Sequence, residues 1–380
     1  MNARPLPDPM RLSRLRLANF RNHKATDVAL GPGPTLFAGA NAQGKSALLE
    51  AIHVSATGRS FRTQHEMEMI ALGEDWARLR SVVQRADREE EIDVTLRRDA
   101  AGETRAVREM RVNGVSVRRG ELFGHLLCVA AAPEDADVVT GSPRLRRRLL
   151  DLLLAQISPA YYQTAQRYNR VLMQRNRLLR RGVVGGLEPW DEQLATIGAA
   201  ITLRRRGVAA RLAEHAAPIY HALSGRREVF QLEYVPSLSG EDAAGLVAYA
   251  REALPARRER ELARGITTVG PHRDDLRFWA DGRDLRAYGS RGQQLSAMLA
   301  VRLAERRVLR EEGGEDPVLL LDDVLLTLDE ERQAYLLDSI HGSQTLLTVT
   351  TLVVVPSLPD ETTVFRVEAG KVERIRAHLT

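Results

Sequence analysis

The stretch GANAQGKS, Gly39 to Ser46, holds the residue types that wrap a phosphate. Glycine at Gly39 and Gly44 permits a loop whose backbone N–H groups turn toward phosphate oxygens, with Ala40, Asn41, Ala42 and Gln43 supplying the amides between. Lys45 then brings a point charge for the β- and γ-phosphates of a nucleotide, and Ser46 a hydroxyl ligand for magnesium, both at the positive end of a helix. The bland alternative is a strand-turn-helix joint with a solvated lysine. It is weakened by context, because an apolar strand (Thr35 to Ala38) precedes the loop and helical spacing follows from Ala47. A second element, VLLLDD (Val318 to Asp323), runs four aliphatics into paired carboxylates at a strand end, where ligands bind in α/β sheets. Asp322 is suited to hold magnesium, usually through water, and Asp323 to orient or deprotonate an attacking water, as phosphoryl transfer requires. Alone, such a pair is as readily a turn-former; beside a phosphate loop it completes a nucleotide site.

Two further patterns carry chemistry. Ser290, Gly292 and Gln293 open an amphipathic helix in YGSRGQQLSAMLAVRLAERR. A serine at the helix N-cap with adjacent N–H groups makes an anion site, which glycine lets a phosphate approach; in isolation the same residues read as an ordinary cap. From Arg144 to Arg181 ten arginines stand against the single acid Asp151. On a helix, Arg167, Arg170, Gln174, Arg177 and Arg181 fall near one face, a stripe fit for phosphate contacts with DNA or else a solvated, salt-bridged face. Tyr161, Tyr162 and Tyr168 are the only aromatic cluster nearby. That favours reading a duplex backbone, including duplex beside a gap, over stacking of single strands.

The elements that must position these residues follow from pattern. Residues 1–9 hold three prolines and read as a disordered lead-in, with Met10 an alternative start. Residues 10–142 alternate short apolar runs with turns, as α/β structure does, and begin with a hairpin at a sheet edge. From 143 to 264 the spacing becomes helical, broken by the linker Gly182 to Pro189 and the loop around Pro236 to Gly240. After Gly265 strands return, then a helix from about Arg291 to Glu311 and strands at Val318 to Leu321 and Thr345 to Val349. The spacing therefore predicts a helical lobe at 143–264 inserted into an α/β domain, with 265–380 completing the sheet begun by 10–142.

Bulk composition bounds the rest. With 380 residues, 44% hydrophobic, the chain has ample core. Its 55 Lys+Arg against 50 Asp+Glu permit nucleic-acid binding without requiring it. Apolar runs such as Leu126 to Ala132 and Leu352 to Val355 are too short for a membrane helix. A lone cysteine in an apolar run and no signal-like segment point to the cytoplasm.

Taken together, these motifs resemble the RecF family of SMC-like ABC ATPases over nearly the whole chain, about Met10 to Arg374. The resemblance rests on LRLANFRNH (Leu15 to His23), GRSFRT (Gly58 to Thr63), APEDADVVTGSPRLRRRLLD (Ala132 to Asp151), YNRVLMQRNRLL (Tyr168 to Leu179), GPHRDDL (Gly270 to Leu276) and LLLDDVLLTLDEER (Leu319 to Arg332). It implies an α/β fold: an ABC-type P-loop ATPase head with an inserted, mainly helical lobe and no long coiled coil. It also implies ATP and Mg2+ as ligands and a homodimer in which the signature Ser290, Gly292 and Gln293 serves the nucleotide of the partner. Asp329 falls in the D-loop along the dimer seam. The implied function is ATP-dependent DNA binding in recombinational repair, loading recombinase at gaps with RecO and RecR. An ATP-switched scaffold of chromosome maintenance, or another ABC ATPase subunit, is the alternative. Ala42 stands where the family's loop has glycine, and Leu295 where relatives carry arginine. The strand ending at Thr350 and Thr351 has no switch histidine, since His341 comes too early, which implies slow turnover.

Overall fold

The structure, a computed structural model, describes residues 10–99, 106–183, 185–351 and 361–375. The lead-in expected at 1–9 and the apolar run Leu352 to Val355 lie outside these residues. The chain forms two compact units: Met1–Asp135 with Ala222–Arg227 and Met298–Thr380, and Ala136–His221 with Glu228–Ala297.

In the first unit, strands β1 (Arg11–Phe20), β2 (His23–Ala29), β4 (Trp76–Gln84), β5 (Glu89–Arg98), β6 (Ala106–Val112) and β7 (Val115–Ser116) pair antiparallel in the order β2-β1-β4-β5-β6-β7. A second sheet runs β15-β14-β3-β13-β12-β8, from β3 (Thr35–Ala38), β8 (Cys128–Ala131), β12 (Val318–Leu321), β13 (Thr345–Val349), β14 (Thr363–Glu368) and β15 (Lys371–Ile375). Its interior pairs are parallel, and β3, β12 and β13 are buried at every residue, so they are mainly apolar, with threonine the one polar residue type among them. Helix α1 (Lys45–Thr57) is buried along its length and shares one core with Leu12, Leu79 and Ile92 of the first sheet and Phe37, Leu320 and Leu346 of the second. A helix buried on all sides has no polar face to show. That explains why its apolar periodicity is weak while its start is marked so clearly by the loop. The short helix α2 (Arg119–Leu122) precedes β8.

The second unit carries α3 (Ala136–Thr140), α4 (Pro143–Ile157), α5 (Pro159–Arg180), most of α6 (Glu188–Leu223), α7 (Ala243–Ala256), α8 (Arg258–Arg264) and α9 (Leu285–Tyr288). Its sheet is β11-β10-β9, from β9 (Phe230–Val235), β10 (Asp275–Ala280) and β11 (Arg283–Asp284). Helix α10 (Arg291–Gly313) begins in this unit, and α11 (Glu330–Ser339) belongs to the first.

Three expectations need correction. The stretch 143–264 is not all helical, because FQLEYV forms β9, whose Phe230 stacks on Tyr220 and Phe278. Nor do residues 265–380 complete the large sheet as a block, since β10 and β11 pair with β9 instead and the units part at Asp135 and Ala297 rather than near 142 and 265. Finally, the N-terminal strands do not all join the sheet of β3; most build one of their own, because the buried faces of β1, β4 and β5 must cover α1.

Candidate nucleotide site

Strand β3 ends at Ala38 and the phosphate loop follows at once. Gly39 passes so close to the β14 backbone that an added Cβ would sit 2.2 Å from Val367 O, and Gly44 turns into α1 at φ 112°. Ala42 also holds a positive φ of 64°, a left-handed conformation that costs a non-glycine residue about 1 kcal/mol. Alanine at this position is therefore tolerated rather than disruptive. Lys45 is nearly buried, and its Nζ donates to Gly39 O (2.7 Å) and Ala40 O (2.9 Å). The ammonium thus lies over the loop, held by the carbonyls of its own first residues.

Beside the loop, β12 delivers Asp322 and Asp323. Asp322 is buried, and burial raises its pKa; hydrogen bonds from Ser46 and Thr348 and the charge of Arg62 oppose the rise, while Asp323 adds to it. Thr348 on β13 ties the pair together: its Oγ1 accepts from Asp323 N–H (2.8 Å) and lies 2.8 Å from Asp322 Oδ1 and 3.2 Å from Asp323 Oδ1. Asp323 takes a left-handed φ of 50°, so the chain turns sharply there at the end of β12. A cleft of about 690 Å3 is bordered by Lys45, Ser46 and Asp323 with Asn41, Ala42, Gly44, Arg21, Asn22, Arg62, Met67 and Leu72. The bonded pair of Ser46 hydroxyl and Asp322 carboxylate offers only hard oxygen donors, which fits magnesium completed by phosphate oxygens and water. Among the described residues no cluster of three or more His, Cys, Asp or Glu forms a metal cage.

Sequence reasoning missed several members of this site. Arg21 pairs through both carboxylate oxygens with the wholly buried Glu50 of α1 (2.9 and 2.7 Å), Ser60 Oγ donates to the same carboxylate (2.5 Å), and Arg62 lies 3.8 Å from it. Both arginines border the cleft. The motifs LRLANFRNH and GRSFRT contain them, and their arginines were the available signal. Thr348 sits mid-strand in an apolar run and gave none.

Other candidate residues lie elsewhere. Ser290 and Gln293 cap α10 reciprocally: Ser290 N–H donates to Gln293 Oε1 (2.9 Å) and Gln293 N–H to Ser290 Oγ (3.2 Å). Ser290 is exposed and Gly292 half-exposed, in the second unit. Asp329 caps α11, accepting from Arg332 N–H (3.0 Å) and pairing with the Arg332 guanidinium (2.8 Å). None of these four residues borders the cleft.

The basic segment divides in two. Arg167, Arg170, Gln174, Arg177 and Arg181 are exposed on or just beyond α5. Arg146 and Arg175 are instead fully buried, paired with Asp275 and with Asp191 and Glu261 respectively. Tyr161 and Tyr168 are buried as well, which removes them as stacking surfaces.

GPHRDDL proves to be an internal staple of the second unit. His272 Nδ1 lies 2.8 Å from Tyr168 Oη and Nε2 lies 3.0 Å from Thr267 O. The neutral Nε2–H tautomer satisfies both contacts, and burial accordingly lowers the ring's pKa to about 4. Asp274 is wholly buried, accepting from Tyr234 Oη, Ser237 N–H (2.8 Å) and Arg205 (3.0 Å), while Arg205 also holds Asp151.

Comparison with known proteins gives the family. The family described as RecF/RecN/SMC N terminal domain matches residues 11–364. The protein of Symbiobacterium thermophilum named DNA replication and repair protein RecF is 41% identical over 96% of this chain and 98% of its own length; that of Shouchella clausii is 39% identical over 96% and 100%. A structure described as the recombination mediator protein RecF-ATP in the RecFOR pathway superposes with a TM-score of 0.87 at 33% identity, covering 97% of this chain and 99% of that one. The Smc head domain of Pyrococcus furiosus, at TM-score 0.57 and 16% identity, shares the fold alone. The chain belongs to the RecF family and has the fold of SMC-type ABC ATPase heads.

Proposed function

We propose that this protein is an ATP-controlled DNA-binding switch of recombinational repair. ATP closes a two-fold homodimer on duplex DNA beside single-strand gaps, and the dimer, with RecR and RecO, helps load recombinase in the cytoplasm. The observation that supports the reading is that Lys45, Ser46 and Asp323 border one cleft at the ends of β3 and β12, with the buried Asp322 bonded to Ser46 just behind it. Lys45 exchanges its bonds to the Gly39 and Ala40 carbonyls for β- and γ-phosphate oxygens, and the loop amides from Gly39 to Ser46 receive the rest. Ser46 and Asp322 hold the magnesium. That ion, when bound, neutralises charge developing on the phosphates. Asp323 orients the attacking water and takes its proton. With a single activating carboxylate, and with Thr350 and Thr351 rather than a histidine directly after β13, turnover is slow, as suits a switch.

The signature residues Ser290, Gly292 and Gln293 act in trans. The exposed cap of α10 receives the γ-phosphate of a nucleotide held by the other chain, while Asp329 lies at the seam. DNA lies along Arg167, Arg170, Arg177 and Arg181, whose exposure leaves them free to meet phosphates. No described helix is long and apolar enough to cross a membrane.

Isothermal calorimetry tests the site. Lys45→Ala should abolish ATP binding, and Lys45→Arg should impair hydrolysis more than binding, because the bulkier, delocalised cation cannot take the same point contact. Unchanged ATP affinity in the alanine variant would remove the assignment.

A further inference from the structure

A loop that turns its amides inward to a phosphate must turn its carbonyls outward, and each of those needs a partner. The six carbonyls from Gly39 to Gly44 are all satisfied. Lys45 Nζ takes Gly39 O and Ala40 O, and Gln43 Nε2 takes Asn41 O (3.3 Å). Of the remaining three, Ala42 O and Gln43 O are met from two distant turns, and Gly44 O, which accepts from Ala47 and Leu48 N–H of its own helix (3.1 and 3.3 Å), takes a further contact from one of them. Asn22 Nδ2, after β1, reaches Ala42 O (3.4 Å); Gly370 N–H, between β14 and β15, reaches Gln43 O (3.0 Å); His23 Nε2 lies 3.0 Å from Gly44 O. The turns also hold each other. His23 is fully buried; with Nε2–H given to Gly44 O, its Nδ1 is an acceptor 2.9 Å from Thr26 Oγ1, Thr26 Oγ1 lies 3.1 Å from Gly370 O, and Ala369 N–H donates to Gln43 Oε1 (2.7 Å). Only glycine fits at position 370, where φ is 77° and an added Cβ would lie 2.2 Å from Asn22 O.

We propose that His23 and Gly370, neither of which borders the cleft, are positioning residues of the nucleotide site. They form an outer clamp that holds the loop's carbonyls outward and thereby its amides toward the phosphates. The clamp joins residues 347 positions apart in sequence, so the C-terminal hairpin β14–β15 is part of the phosphate site. This inference rests on the reading of Gly39–Ser46 as an ATP site. A loop released from the clamp still has Lys45 and Ser46, but must be ordered by the nucleotide itself, which weakens binding.

The test is ATP titration by calorimetry on the full chain, with thermal unfolding measured in parallel. His23→Ala and Gly370→Ala should each weaken ATP about tenfold, the size expected from losing one preorganising hydrogen bond beside a charged ligand. His23→Gln should recover most of the loss, since an amide N–H can donate to Gly44 O. Gln344→Ala is the control: it breaks buried bonds to Leu12 and Gly31 in the same unit, away from the loop, and should lower the melting temperature while keeping ATP affinity. The clamp is refuted if folded His23→Ala binds ATP as the parent does, if glutamine restores nothing, or if Gln344→Ala loses ATP affinity equally. A parent protein that binds no ATP would instead remove the site on which the clamp rests, and the clamp with it.

Discussion

Asp274 in the second unit and Asp323 in the first are both carboxylates of sequence motifs, yet their surroundings are opposite. Asp274 is wholly buried and accepts from Tyr234, Ser237 and Arg205, with Arg205 in turn shared by Asp151 and Pro271 O. Asp323 is half-buried, its carboxylate lies beside the Thr348 hydroxyl, and it borders a cleft with Lys45 and Ser46. One cluster spends its bonding capacity internally; the other keeps a surplus facing outward. Charged motif residues thus build a rigid interior or a ligand site according to where their remaining lone pairs and protons point. The histidines follow the same division. His272 closes a bond between Tyr168 and Thr267, whereas His23 braces the back of the loop whose front meets the cleft.

The contrast is sharpest for stability. Arg205→Met should leave Asp274 buried without its cation and cost about 3–5 kcal/mol in urea unfolding, while ATP affinity at a temperature where the variant is folded stays at the parent value. A variant as stable as the parent would show that the network does not staple the second unit.

The next effect depends on pH. His272 is held near 4 in the folded state against 6.5 when unfolded, so the unfolded chain binds the extra proton between these values. Stability contributed by the neutral ring is fully present above about pH 6.5 and is lost as pH falls toward 4, by at most about 1.4 kcal/mol per pH unit. Melting temperatures from pH 7 to 4.5 should show this decline, and His272→Gln should flatten it. An equal decline in both proteins would assign it to other groups.

The smallest change is expected on the exposed face of α5. Replacing Arg170, Arg177 and Arg181 by alanine should leave folding intact and reduce the slope of log DNA affinity against log salt by about 0.9 for each duplex phosphate no longer neutralised. Arg175, bonded in the interior to Asp191, Glu261 and Thr267 only a turn away, should instead act on stability when replaced. If the triple variant keeps the parent slope, DNA lies on another surface.

Much of the site was legible because its signals are local. The loop needs glycines at fixed spacing before a helix, and a buried parallel strand must be apolar until it ends in Asp322. What was illegible depends on residues far apart in sequence. Arg146 and Arg175 look like the rest of the arginine run until Asp275, Asp191 and Glu261 are placed against them. Strand β9 alternates Phe230, Leu232 and Tyr234 with Gln231 and Glu233, a period-two signal of six residues lost between long helices. The brace at His23 and Gly370 has no local signature at all, since each half is an ordinary turn. The split of the first unit's strands into two sheets was hidden for the same reason: strands with equal propensity were sorted between them by which apolar face must cover α1.

The central claim, that ATP joins two copies through the loop of one and the exposed α10 cap of the other, is tested most directly by multi-angle light scattering. Asp323→Asn should bind ATP and magnesium and persist as a dimer, because the water is no longer activated. Ser290→Arg should bind ATP with parent affinity, since Lys45 and Ser46 are untouched, yet stay monomeric because the arginine blocks the cap. A Ser290→Arg protein that dimerises on ATP as readily as the parent would contradict the account.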